Sequence, residues 1–145
     1  MTREEIVALL DRRAAAWESR DVTTLAGLHA GSSIVESPIA GGAVTGRTAI
    51  AQVYEALFKA FPDATVTTDE LVIDGDRAAQ VGTLAGTDSG GFLGLPASGK
   101  PFRVPLLVLL TVRDHQIVSE RRIYDFTSLL TQIGVLKTRH ANEQI

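Results

Sequence analysis

The amino-acid sequence predicts an α+β fold in which three N-terminal helices precede a set of long strands and a short helix closes the chain. Apolar residues recur at helical spacing from Ile6 to Phe58, and the pattern changes to strand periods after Pro62 and Asp63. Two turn segments, Asp74-Gly75-Asp76 and Asp114-His115-Gln116, then divide the second half into long strands.

Thr2 reads as an N-cap, with Glu5 three residues on completing a capping box, so the first helix is expected from about Arg3 to Ser19. Ile6, Leu9, Leu10, Ala14 and Trp17 follow at spacings of three and four and form one stripe towards a core. Asp21 caps a short second helix, about Thr23 to His29. Ile34 to Pro38 reads as extended, and a glycine-rich link leads to Thr48. That residue is expected to cap a third helix, about Ala49 to Ala60, burying Ile50, Val53, Tyr54, Leu57 and Phe58.

Thr65 to Ile73 and Arg77 to Thr87 should pair as a hairpin, because Asp-Gly favours the positive φ that a tight turn needs. After a glycine-rich insert, Phe102 to Val112 and Ile117 to Tyr124 read as two more strands. The unbroken apolar run Leu106 to Leu110 implies that both faces of its strand are covered. One face would pack on the helices; for the other, a homodimer through the outer sheet face is expected. A last helix, about Thr127 to Ile133, stops at Gly134. The chain reads as one domain, 1–145, with an ordered core over 3–136 and a polar tail over 137–145.

At 145 residues, with 45% hydrophobic and 21% charged residues, the chain has the composition of one folded domain. A net charge of −3 with scattered basic residues provides no footprint for nucleic acid or an anionic membrane. The absence of cysteine removes disulfides, thiolate nucleophiles and sulfur ligands, and a cytoplasmic location is expected. No residues are spaced to make a metal site, and no cofactor is expected.

Three segments then carry a family resemblance: IVESP followed by GGAVTGRTAI, GTDSGGFLGLPASGKPF, and IVSERRIYDFTSLLTQIGVL. Together with the element order, they resemble the SnoaL-like polyketide cyclase branch of the nuclear-transport-factor-2-like superfamily over about residues 4–136. The resemblance implies a cone: a curved antiparallel or mixed sheet closed over helices around a small apolar pocket. It also implies either a cofactor-independent cyclase or isomerase acting on a small carbonyl compound, or a non-catalytic binder of a small apolar molecule in the same cone. Cyclases of this kind take a proton α to a carbonyl while donors stabilise the enolate.

Asp125 matches the aspartate that opens the terminal helix in the family pattern. It reads as the acid/base of an apolar pocket or as the N-cap of that helix. Glu36 stands immediately before Ser37, which replaces the aspartate base of the similar ketosteroid isomerase strand. Arg13 and the apolar penultimate strand replace the tyrosine and acid of that enzyme's oxyanion hole. Asp88 stands where many relatives have histidine, either at the pocket mouth or as a turn residue. Phe102 to Val112 holds no histidine, so the dyad of the cyclases is incomplete. For substrate contact, Trp17, Tyr54, Phe58, Phe92 and Phe102 supply aromatic surface, and His29 could titrate near neutrality at the pocket mouth. Arg121 shares a strand face with Asp125, and Arg122 shares the other with Tyr124; either pair could line the pocket.

Overall fold

A computed structural model describes residues 1–137 of the chain; of the expected polar tail, residues 138–145 lie outside the described residues. Helices α1 (Arg3–Glu18) and α2 (Val22–Gly27) precede strand β1 (His29–Ser37), a 3-10 turn over Pro38–Ala40 and strand β2 (Gly42–Thr45). Helix α3 (Arg47–Ala60) leads into β3 (Thr65–Asp74), β4 (Arg77–Thr87), β5 (Pro101–Arg113) and β6 (Gln116–Tyr124), and α4 (Phe126–Gln132) follows. The six strands form one mixed sheet in the order β2-β1-β6-β5-β4-β3; β1 runs parallel to β6 and every other pair is antiparallel.

The expected capping box is present, with the Thr2 side chain accepting from the Glu5 N–H and Glu5 reaching back to the Thr2 N–H. Three boundaries differ from expectation. His29 opens β1 instead of ending α2, because α2 stops at Gly27 and the His29 backbone pairs with Ile117 of β6. Helix α3 starts at Gly46 as its N-cap, at φ 90°, rather than at Thr48. The glycine-rich link contains strand β2, paired with β1 from Ile34↔Thr45 to Ser37↔Gly42. The hairpin into β6 turns on Asp114 and His115, both at positive φ.

Strand β5 alternates without interruption. Phe102, Val104, Leu106, Val108, Leu110 and Val112 are buried against the helices, and Leu107, Leu109 and Thr111 on the other side are half-buried. Pro105 is tolerated within this central strand because of where β6 ends. The last β5–β6 pair is Leu106↔Tyr124, and beyond it the Gln132 side chain brackets the Arg103 backbone, accepting from its N–H at 2.8 Å and donating to its carbonyl at 3.2 Å. Pro105 has the parity of Arg103, so its donorless nitrogen faces a side with no strand to bond.

Register shifts between His29 and Ile34, Thr68 and Glu70, and Thr111 and Val112 mark bulges in three of the five strand pairs. Bulges increase twist and bend a sheet, which lets this one curl over α1 and α3. At the β3 bulge only glycine fits opposite, since a Cβ on Gly82 would lie 1.7 Å from the Thr67 carbonyl oxygen.

The hollow expected inside the cone is smaller than the resemblance implies. Side chains such as Leu9, Ile50, Tyr54, Leu110 and Ile117 are 0% exposed and fill the centre. The larger space lies off-centre, between α1 and the β3–β4 edge of the sheet.

Candidate functional site

An inner pocket of about 20 Å³ has apolar walls from Leu57, Leu84, Leu106 and Val108 and polar edges from Arg13, Ser37, Arg122 and Tyr124. An outer cleft of about 380 Å³ runs along α1 and past Thr65, Thr67, Thr68 and Gln80. Arg13, Trp17 and Val66 are walls of both, so they form the partition between cleft and pocket. The inner space has room for about one water molecule; a larger ligand must use the cleft and reach inward past Trp17.

Behind the inner pocket is a buried charge cluster. Alternation along β6 puts Glu120, Arg122 and Tyr124 on its inner side, and Arg13 falls on the buried stripe of α1 between Leu10 and Trp17. Arg13 Nη2 donates to Glu120 Oε2 at 3.1 Å, and Arg122 Nε donates to the same oxygen. Glu120 Oε1 faces His29 Nε2 at 3.8 Å, and His29 Nδ1 is 2.9 Å from Ser33 Oγ. The Arg122 guanidinium also lies over the Tyr54 ring, 4.6 Å from its centroid.

Burial by itself would push the Glu120 carboxyl up, but the Arg122 and Arg13 guanidiniums outweigh burial and bring it down to about 2. Burial pushes the His29 imidazole down to about 4, with Arg13, Arg122 and Arg47 adding to that effect against the pull of Glu120. Both arginines are raised despite burial, chiefly by Glu120. Burial also raises the Tyr124 phenol, whose neighbours are Ser37 and the Ile39 backbone. At neutral pH the cluster is therefore two guanidiniums, one carboxylate, a neutral imidazole and a neutral phenol. Glu120 is an ionised counter-charge and too weak a base to hold a proton taken from carbon.

None of the three carboxylates expected in the pocket lines either cavity. Asp125 is exposed and is the N-cap of α4, its Oδ1 accepting from the Ser128 N–H at 2.9 Å. Glu36 does share a side with Ile34, but that side is the outer one, where it pairs with exposed Arg121 at 3.0 Å. Asp88 is buried and ties the β4–β5 loop together. Its N–H donates to the Lys100 carbonyl, its carbonyl accepts from the Gly99 N–H, and its Oδ2 accepts from the Ser98 N–H at 3.0 Å. The physical reasons differ: strand parity turns Glu36 outward, capping of α4 engages Asp125, and the backbone of the β4–β5 loop engages Asp88.

Among the expected substrate contacts, Trp17 and Tyr124 line the inner pocket. Tyr54 and Phe58 stand behind Trp17, with ring centroids 6.0 and 5.1 Å from it. Phe92 and Phe102 belong to a different aromatic group around Phe61, at 5.4 and 4.7 Å, which plugs the end of the cone next to α4. His29 is fully buried in the charge cluster instead of at a mouth, and Arg121 is on the outer face. Of the two strand pairs, the structure brings Arg122 and Tyr124 to the pocket.

Glu120 and the role of Arg13 are what sequence reasoning missed. The signal for Arg13 was available: a cation at helical spacing inside an apolar stripe needs a buried partner. Among the described residues, no group of three or more His, Cys, Asp or Glu side chains could hold a metal ion, and no helix is long and apolar enough to cross a membrane.

The family model for SnoaL-like polyketide cyclases matches residues 7–133. Wild-type IdmH from Streptomyces antibioticus, a candidate polyketide cyclase, is 30% identical with a TM-score of 0.75, over 88% of this chain and 97% of that one. A protein with a ketosteroid isomerase-like fold from Catenulispora acidiphila, solved in complex with trimethylamine, is 26% identical with a TM-score of 0.73, over 87% of this chain and 92% of that one. AclR from Streptomyces galilaeus, a candidate hydroxylase, shares the fold at 23% identity and a TM-score of 0.82, over 96% of this chain and 87% of that one. No curated protein matches the chain in sequence. With the matched segment running from α1 to the end of α4, the chain belongs to the SnoaL-like polyketide cyclase family and has its NTF2-like, ketosteroid isomerase-like fold.

Proposed function

We propose that this chain binds a small, largely apolar oxygenated molecule and holds its carbonyl or enol oxygen against Arg13, Arg122 and Tyr124. The observation that carries this reading is the convergence of hydrogen-bonding groups on an apolar pocket: Arg13 Nε, Trp17 Nε1, Ser37 Oγ and Arg122 Nη2 are all buried without a partner among the described residues. Buried donors of this kind cost about 1–3 kcal/mol each when unpaired, so a ligand that accepts from them binds by relieving that cost. The binding reading precedes the catalytic one because, among the described residues, no carboxylate lines the inner pocket.

The cyclase or isomerase reading rests on family membership and on the same donors. An oxygen that gains negative charge as a proton leaves the adjacent carbon would be stabilised by two guanidiniums in a dry site. Asp125, Glu36 and Asp88 line neither cavity, so in that reaction the proton would pass to water in the outer cleft. One domain in a reducing cytoplasm suits a chain with no cysteine.

A matched pair of probes tests the binding reading: 1-tetralone and tetralin, which differ only by the carbonyl. Calorimetry should find the ketone bound at least tenfold tighter, the equivalent of about 1.4 kcal/mol. Tyr124→Phe should reduce that preference, and Asp125→Asn should leave it unchanged. Equal affinity for the two probes, or loss of the preference in Asp125→Asn, would overturn the assignment.

The outer sheet face supports a homodimer. Val81, Leu107 and Ile123 stand opposite one another on three adjacent strands, with Val81 38% and Ile123 47% exposed. An apolar row across the flat of a sheet fits a second copy of the same face. Light scattering should give twice the chain mass, and Ile123→Glu should return the monomer mass with the fold intact by circular dichroism. A parent protein that is monomeric at high micromolar concentration rules the dimer out.

A further inference from the structure

We infer that the molecule held in this pocket is an organic anion, a carboxylate, phenolate or ionised enol, bound through Arg122 and Arg13. The inference deepens the binding reading above and rests on it. A neutral ketone needs only donors; the charge balance of the cluster calls for more.

Two guanidiniums face one carboxylate in a region from which water is largely excluded. Arg13 and Arg122 are 5% and 7% exposed, and Glu120 is 0% exposed. Both arginines spend a donor on the same oxygen, Glu120 Oε2, so one carboxylate oxygen serves two cations. Each guanidinium keeps a buried nitrogen without a partner, Nε of Arg13 and Nη2 of Arg122, and both side chains border the inner pocket.

No other described group restores neutrality. His29 is uncharged at neutral pH, and the Tyr124 phenol keeps its proton. Arg47, whose Nε donates to the His29 carbonyl at 2.8 Å, is exposed and is screened by water, so it does not enter the balance. Glu18, on the wall of the outer cleft, is exposed, where water screens it. An uncompensated buried cation is costly, and an anion that completes two charge-assisted hydrogen bonds offsets that cost. The planar fork of a guanidinium suits a carboxylate or a delocalised enolate better than a single hydroxyl. The apolar walls of Leu57, Leu84, Leu106 and Val108 then select an anion carried on a hydrophobic body over a free inorganic one.

The test compares 2-naphthoate with 2-naphthamide on the full chain by calorimetry at pH 7. They share a ring system and differ in the charge of the group offered to the arginines. The acid should bind at least tenfold tighter, and in Arg122→Gln that preference should shrink to less than threefold because the acid loses more affinity than the amide. Since Arg122→Gln disturbs the cluster, its fold is checked by near-ultraviolet circular dichroism; if it unfolds, the probe pair on the parent protein decides. Amide binding as tight as the acid overturns the inference. A protein that binds 1-tetralone but shows no preference for the acid overturns the inference alone. One that binds none of these probes overturns the pocket reading as well.

Discussion

Replacing Glu120 with alanine is expected to destabilise the protein by about 3–5 kcal/mol, because it leaves two buried guanidiniums without a counter-charge. In a chain of this size that loss corresponds to a fall in Tm of roughly 10–20 °C. Glu120 is the carboxylate both arginines contact: Arg13 from α1 at 3.1 Å and Arg122 from the same strand. It therefore ties the first helix to the last strand across the whole cone. The cluster as a whole is expected to be worth much less than that loss suggests. Replacing Arg13, Glu120 and Arg122 together with Met, Leu and Met should recover most of the stability, since burial of apolar groups avoids the desolvation of three charges. Urea denaturation of the parent, the single variant and the triple variant measures both effects. A Glu120→Ala protein within about 1 kcal/mol of the parent would show that water, not Glu120, solvates the arginines.

Acidification from pH 7 to pH 4 is expected to remove about 3 kcal/mol of stability through His29 alone. Its folded pKa of about 4 lies below the ordinary 6.5. The unfolded chain therefore takes up a proton near 6.5 that the folded chain refuses until about 4. Stability from this group is complete above 6.5 and is lost as the pH falls to 4. Glu120 continues the trend with the same sign. Its carboxyl is depressed from 4.5 to about 2, so its contribution is complete above 4.5 and declines below it. The diagnostic variant is His29→Gln, whose amide can still reach Ser33 but does not titrate. Its unfolding free energy should be flat in pH over the interval from 6.5 to about 5, above the range in which Glu120 contributes, whatever its absolute value. A parent profile that is already flat there would place a charged imidazole in the fold and break the argument.

The two results bear on function through the same atoms. If Glu120 holds the arginines in place, it is a positioning residue that fixes Arg122 and Arg13 beside the pocket. The site then resembles one half of an acid/base catalyst, the half that receives negative charge. The two probe comparisons, ketone against hydrocarbon and acid against amide, separate how much of that capacity is used on a neutral oxygen and how much on an anion.

Legibility in the sequence followed the range of the interaction. The capping box at Thr2 and Glu5 and the hairpin turn at Gly75 are local and lie where residue spacing puts them, and the stripe of α1 does so except that Arg13 and Ala16 are buried in place of Ala14. Strand β2 was hidden, since Gly42 to Thr45 has little side-chain signal and is a strand only because β1 supplies its partner. Glu36 was misplaced for a related reason: alternation fixes which residues of a strand share a side, but only the packed sheet decides which side faces the helices. Periodicity could show that Arg122 and Tyr124 share one side and Arg121 the other; it could not say which side was inside.

The sequence by itself determined the class of fold, the order of its helices and of every strand but β2, and the aromatic and arginine residues from which a pocket could be made. Those properties follow from spacing, capping and turn chemistry, which act over a few residues. Only the tertiary structure decided that Asp125 caps a helix, that Glu36 faces outward, and that Arg13 meets Glu120 across 107 positions of chain. Burial and charge pairing are properties of a closed space, and that space exists only once the bulged sheet has curled over α1 and α3.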